Sequence, residues 1–302
     1  MKSLALKVRV TDGAWGTELQ SRGLPSGAPP ELWNAENPSA VESVARGYVQ
    51  AGSDVIITNT FGANRFVLGS HGAAARAAEL AEAGARISLE AAGRKRMMDS
   101  ETGPPKSPPG ALVFGSIGPT GKIVMMGDVP ESDIAAAFAE SAEAIARAGV
   151  DAILLESFAE LAEIALALNA AKSVTDLPVV CSMTFASGPD GTATMMGTTP
   201  EDLVKMAESN GAAAVGGNCG TGPQNFVKVA RSLRAATGLP IWIKPNAGLP
   251  TIVDGKTVFP MGPEEFASFV PALVEAGANF VGGCCGTTPA HVRAIRTAVD
   301  KR

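Results

Sequence analysis

Apolar residues alternate along this chain between short continuous runs and longer stretches where they recur every three or four positions. The short runs follow a repeated small-residue corner. It occurs as Ala51-Gly52-Ser53-Asp54 before Val55-Ile56-Ile57-Thr58-Asn59, and as Ala148-Gly149-Val150-Asp151 before Ala152-Ile153-Leu154-Leu155-Glu156. It returns as Asn210-Gly211-Ala212 leading through Val215 to Asn218-Cys219, and as Ala276-Gly277-Ala278-Asn279 leading through Val281 to Cys284-Cys285. Each glycine stands where a helix end favours positive φ, and each run has the length of a buried parallel strand. Four more runs, Lys7–Thr11, Leu112–Ser116, Pro178–Thr184 and Pro240–Lys244, bring the expected strands to eight. The intervening stretches predict helices over 39–50, 73–96, 131–147, 159–173, 200–209, 223–236, 263–275 and 289–299. Thr199-Pro200-Glu201 and Thr288-Pro289 pair a cap residue with proline at the first helical position. Leu161, Ile164 and Leu168 give one helix an apolar face.

Eight β–α alternations specify either a (β/α)8 barrel or a large doubly wound sheet. No glycine-rich dinucleotide fingerprint follows the first strand, which favours a single α/β TIM barrel over residues 1–302. Such barrels take about 250 residues or more, so one domain accommodates the chain. The Pro-, Gly- and Ser-rich stretch Asp99–Gly110 reads as a loop on the face opposite the active site, and Arg94-Lys95-Arg96 as a helix end.

Composition narrows the function classes. The hydrophobic fraction is 46% and the charged fraction 18%, enough for a large core and too little charge for a disordered chain. A net charge of −5, without a long basic run, argues against nucleic acid or an anionic membrane as partner. No apolar stretch approaches the ~20 residues of a membrane span, and Met1 to Val10 lacks the apolar segment of a signal peptide. The expected location is therefore the cytoplasm. Four cysteines in a reducing compartment point to metal or catalysis rather than a disulfide framework.

In a (β/α)8 barrel the active site lies at the C-terminal ends of the strands. Those ends carry Asp12, Asn59, Ser116, Glu156, Thr184, Cys219, Asn246 and Cys284-Cys285. The sixth and eighth strands flank the seventh, so three sulfurs can converge across one strand. Three thiolates suit zinc with its fourth position open to a substrate thiol, which zinc would deprotonate and present as a nucleophile. Cys181, inside the fifth strand, reads as core. The competing readings are small buried cysteines, a structural zinc needing a fourth ligand, and a phosphate-binding barrel with incidental cysteines. His71 and His291 read as surface or packing residues. Asp12 precedes Gly13 and is first a turn signal, whereas Glu156 ends an apolar run and needs a cationic partner at the mouth. The glycine-rich stretches Gly115–Gly121 and Gly216–Gly222 lack the spacing of a phosphate loop.

The motifs Asp12-Gly13-Ala14-Trp15-Gly16-Thr17, Thr58-Asn59-Thr60-Phe61 and Gly118-Pro119-Thr120-Gly121 are followed by Gly217-Asn218-Cys219 and Pro245-Asn246-Ala247-Gly248-Leu249-Pro250. The series ends in Gly282-Gly283-Cys284-Cys285-Gly286-Thr287-Thr288-Pro289. In these motifs the whole chain resembles the homocysteine S-methyltransferase family, most closely the homocysteine-binding barrel of cobalamin-dependent methionine synthase. The resemblance implies Cys219, Cys284 and Cys285 as zinc ligands and catalytic residues. It implies Asp12 and Glu156 as receivers of the homocysteine ammonium, with Gly13, Thr60, Asn218 and Asn246 helping to position the amino acid. Homocysteine would be methylated to methionine.

Gly118-Pro119-Thr120-Gly121 and Pro245-Asn246-Ala247-Gly248 look more like the cobalamin-dependent branch, so the resemblance implies methylcobalamin as the donor. These 302 residues show no corrinoid-carrying domain, so it would be carried by a separate protein or domain. The alternatives are a small donor (S-methylmethionine, S-adenosylmethionine or betaine), another thiol acceptor, or a zinc-bound thiol-binding module partnering a corrinoid protein.

Overall fold

A computed structural model describes residues 1, 7–94, 110–253 and 256–302. Eight parallel strands form the sheet: β1 (Arg9–Val10), β2 (Val55–Ile57), β3 (Leu112–Ile117), β4 (Ala152–Phe158), β5 (Val179–Met183), β6 (Ala214–Cys219), β7 (Ile241–Pro245) and β8 (Phe280–Val281). Their order is β1-β8-β7-β6-β5-β4-β3-β2, and a parallel bridge between Thr11 and Val55 brings β1 against β2. The Asp54 amide donates to the Val10 carbonyl at 2.7 Å across that seam. This is the (β/α)8 barrel that the alternating pattern predicts. All eight expected strands form, although β1 and β8 are only two residues long.

The small-residue corners act as expected. Gly52, Gly149, Gly211 and Gly277 have φ of 98°, 97°, 71° and 107°, so each turns the chain from helix to strand where a Cβ would be strained. The helices Pro38–Gln50, Glu131–Ala148, Leu161–Val174, Pro200–Ser209, Pro223–Ala236 and Pro289–Asp300 lie close to their predicted bounds.

Two helices depart from expectation. The one predicted over 263–275 divides into Pro263–Ala267 and Val270–Glu275, because Pro271 has no N–H to donate to Ala267 and cannot continue the first segment. The one predicted over 73–96 begins with a 3-10 turn, continues as Ala77–Ala91 and ends at Gly93 with φ 74°. Lys95, Arg96 and residues 99–109 of the proposed loop lie outside the described residues, while Arg94 pairs with Asp151. Short helices at Gly16–Ser21, Trp33–Glu36 and Arg65–Gly69, and a hairpin of Thr251–Val253 with Lys256–Val258, were not expected, since each is too short to show a period. Gly216 and Gly217 lie inside β6 against Trp242 and Phe226, so that stretch is strand and not a phosphate loop. No helix among the described residues is long and apolar enough to cross a membrane.

Aromatic side chains fill the barrel interior. Phe114 of β3 stacks on Trp242 of β7 with centroids 5.5 Å apart, and Trp242 meets Phe280 of β8 at 5.4 Å. Side chains two residues apart on a strand share a face, so Lys244 stands one layer above Trp242, its ammonium 5.8 Å from that ring's centroid. The barrel thus has an apolar floor beneath a polar layer. Phe114→Ala should empty part of this floor and cost about 3–5 kcal/mol of stability, read as a lowered urea midpoint.

Candidate metal centre

The polar layer is built from strand ends. Asp12 follows β1, Ser116 lies in β3, Glu156 in β4, Ser182 in β5, Asn218 in β6 and Lys244 in β7, and all are buried. Most are already bound to one another. Asn218 Oδ1 accepts from the Ser182 hydroxyl at 2.6 Å and the Ser157 amide at 2.9 Å, and its Nδ2 donates to Ser157 Oγ at 2.7 Å. Ser157 and Cys219 are the non-glycine residues with positive φ among those described, at 65° and 63°. Both sit where a strand turns into the site, and backbone strain of this kind concentrates at functional positions.

The three cysteines meet above this layer. Cys219 ends β6, and the Thr221 amide folds back onto its carbonyl at 2.8 Å. Beyond β8, the Gly283 amide donates to the Asp12 carbonyl at 3.0 Å and the Cys284 amide to the Pro245 carbonyl at 2.7 Å. A Cβ on Gly282 would collide with Thr11, and one on Gly283 with Thr287. The glycine pair therefore lets Cys284 and Cys285 tuck in beside β1.

The three Sγ atoms lie within 4.8 Å of one another, with Cys219 and Cys285 4.0 Å apart. Tetrahedral ligation at Zn–S bonds of about 2.3 Å places sulfurs about 3.8 Å apart, so this triangle fits the ion with little movement. The donor chemistry fits as well. Hydrogen bonds from Cys284 and Cys285 lower the pKa of Cys219, and the same contact with Cys219 pushes both partners upward. A divalent cation removes the cost of gathering thiolate charges in one place. Asn246 also hydrogen-bonds Cys219, while its buried Oδ1 has no partner. The Asn218 Nδ2 lies 4.0 Å from Cys284 Sγ. These amides orient the ligands from behind.

A charged wall stands beside the cluster. Lys244 Nζ meets Asp12 Oδ1 at 2.5 Å, and Asp12 Oδ2 accepts from Trp15 Nε1 at 2.9 Å and the Ile57 amide at 2.8 Å. Ser116 donates to Glu156, whose carboxyl is pushed up to about 7 by burial, with Cys284 and Asp12 adding to the rise and Lys244 and Ser116 opposing it.

Of the residues singled out from the sequence, Asp12, Glu156, Asn218, Asn246 and the cysteines share this mouth. Gly13 lies beside them in close contact with Tyr48 and Thr287, whose Oγ1 takes the neighbouring Ala14 amide at 3.1 Å. The Thr60 hydroxyl is engaged in the frame, donating to the Ser116 carbonyl at 2.6 Å. Trp15 is buried against Asp12, whereas Phe61 is 42% exposed at the rim. Cys181 is core, its thiol pushed up to about 12 by burial. His291 is a buried packing residue, bonded to Thr288 and the Met261 carbonyl, and His71 is exposed.

Lys244 was not foreseen. Its signal was the same as that of Glu156, a charge ending a wholly apolar strand, here Ile241-Trp242-Ile243-Lys244.

The sequence profile of the homocysteine S-methyltransferase family matches residues 9–299. The chain is 33% identical over 311 aligned positions to the methionine synthase of Mycobacterium tuberculosis, covering 98% of this chain and 25% of that protein. It is 32% identical to the methionine synthase of Mycobacterium leprae, again spanning 25% of its length. The fold matches the metallated form of the homocysteine methyltransferase MmuM of Escherichia coli with a TM-score of 0.75, at 24% identity and 96% coverage of both chains.

Two outcomes are expected of this centre. Elemental analysis should find about one zinc per chain, retained in Cys181→Ala and lost in Cys219→Ala. Lys244→Met should cost about 3–5 kcal/mol because it leaves Asp12 charged and buried, and the Asp12→Asn/Lys244→Met pair should recover most of that loss in urea unfolding.

Proposed function

Because this chain belongs to the homocysteine S-methyltransferase family, we propose that it is a zinc-dependent S-methyltransferase converting homocysteine to methionine. The observation that carries the reading is the triangle of three sulfurs within 4.8 Å, set at the barrel mouth beside a carboxylate wall. Cys219, Cys284 and Cys285 would hold the ion. Zinc supplies a Lewis acid that brings the acceptor thiol to its thiolate form at neutral pH.

The remaining chemistry is positioning. Asp12 and Glu156 make the mouth acidic toward an ammonium. Asn218 and Asn246 fix the sulfur ligands, and Asn246 Oδ1 is a buried acceptor to which an amino-acid N–H can donate. Gly13 and Thr60 shape the same wall, Gly13 by its lack of a side chain and Thr60 by holding β3 in place. A thiolate held in line with the methyl carbon forms the S–C bond as the donor leaves, and no general base is required.

For the donor we favour methylcobalamin carried by a separate protein or domain. Both methionine synthases above extend well beyond the quarter that this chain matches. The rim also supports a macromolecular donor. Phe61, Met125, Met126, Met195, Leu249 and Ile252 are exposed apolar residues, and each follows the C-terminal end of a strand. A small donor such as S-methylmethionine, S-adenosylmethionine or betaine is the alternative, and a zinc-bound thiol-binding module serving a corrinoid protein is the reading from another class.

Zinc-loaded protein, homocysteine and each donor in turn should yield methionine, with methylcobalamin the productive one, and Cys219→Ala should be inactive. Turnover with a small donor alone would move the protein to that branch, and thiol binding without turnover by any donor would leave the binding module. A pH series tests the ammonium contact. The Glu156 carboxyl titrates near 7, so affinity for homocysteine should fall as pH drops through that value. The fall should exceed that of 4-mercaptobutyrate, which has no ammonium, and should disappear in Glu156→Gln.

A further inference from the structure

Lys244 is the one lysine or arginine among the buried described residues. Its side chain is 2% exposed and that of Asp12 is 0% exposed. The position of this cation changes what the two carboxylates of the mouth can do.

Asp12 has little capacity left. A carboxylate offers about four acceptor positions. Lys244 takes one on Oδ1, and Trp15 and the Ile57 amide take two on Oδ2. An acceptor ammonium brought to Asp12 would also lie next to the Lys244 ammonium, and like charges at that range repel. Glu156 is differently placed. It has one hydroxyl partner, Ser116, and among the described residues no cation in bonding contact, although it lies within the field of Lys244. Lys244 touches Asp12 and acts on Glu156 only at longer range, so the two ionised acids and one ammonium leave the wall a single net negative charge, which one further ammonium completes.

We propose that Lys244 is a positioning residue: by engaging Asp12 it leaves Glu156 alone to take the acceptor's ammonium. The inference rests on the thiol-acceptor reading of the site given above. Homocysteine, the acceptor proposed above, brings the single amino group that completes this wall. A thiol of the same length without that group leaves Glu156 buried and unpaired, and binds more weakly.

Calorimetry on zinc-loaded protein with homocysteine and 4-mercaptobutyrate tests this directly. Wild type should prefer homocysteine about tenfold or more, the worth of a hydrogen bond to a charged group. Glu156→Gln should lose the preference. Asp12→Asn/Lys244→Met, which removes the ion pair without leaving a lone charge, should keep it. In Glu156→Gln/Lys244→Met, with its fold checked by circular dichroism, the freed Asp12 should restore it. Survival of the preference in Glu156→Gln, or its loss in Asp12→Asn/Lys244→Met, overturns the inference while the thiol site stands. Zinc-loaded wild type that binds neither thiol overturns the reading of the site and the inference with it.

Discussion

The buried pair of Lys244 and Asp12 ties the closing strands together. Strand β1 contributes only two residues to the ladder, so its hold on β2 is weak through backbone bonds alone. Asp12 extends that hold by accepting the Ile57 amide of β2, and reaches across β8 to Lys244 of β7. The backbone carbonyl of the same residue accepts the amide of Gly283, the residue before the two cysteines. Closing the barrel and placing the sulfurs are therefore coupled through one residue. A buried ion pair is weak evidence of stability, because desolvation offsets much of the attraction. Its value here is register and position.

Strain and polarity are concentrated where the chemistry is proposed. Ser157 and Cys219 occupy left-handed backbone that side chains usually avoid, and Asn218 bonds the first and precedes the second. This is local structure held by its surroundings, as expected where geometry serves a ligand and not the strand itself. Beneath it, Phe114, Trp242 and Phe280 pack into an apolar floor. Burial raises the Glu156 carboxyl, and a cation brought to it would offset that cost.

Much of this was legible from the chain. The corner glycines and the apolar runs after them predict eight strands, because backbone conformation and burial are written locally in residue size and polarity. The Asn-Cys and Gly-Gly-Cys-Cys motifs stand at strand ends, and barrel topology alone places the sixth and eighth strands on either side of the seventh. The split of the helix after β7 was also in the sequence, at Pro271, although a continuous apolar pattern masked it. The short helices of the loops and the hairpin at residues 251–258 carry too few residues to show a period.

The barrel, the burial of Cys181 and the convergence of Cys219 with Cys284 and Cys285 are written in the chain, because each follows from local pattern and strand order. How the charges pair is fixed by the folded arrangement instead. Asp12 and Lys244 are 232 positions apart, and nothing local distinguishes a lysine that faces solvent from one whose ammonium meets a carboxylate across the barrel. Pairing is a property of distance in space, and it is what separates the roles of two acids that look equivalent along the chain.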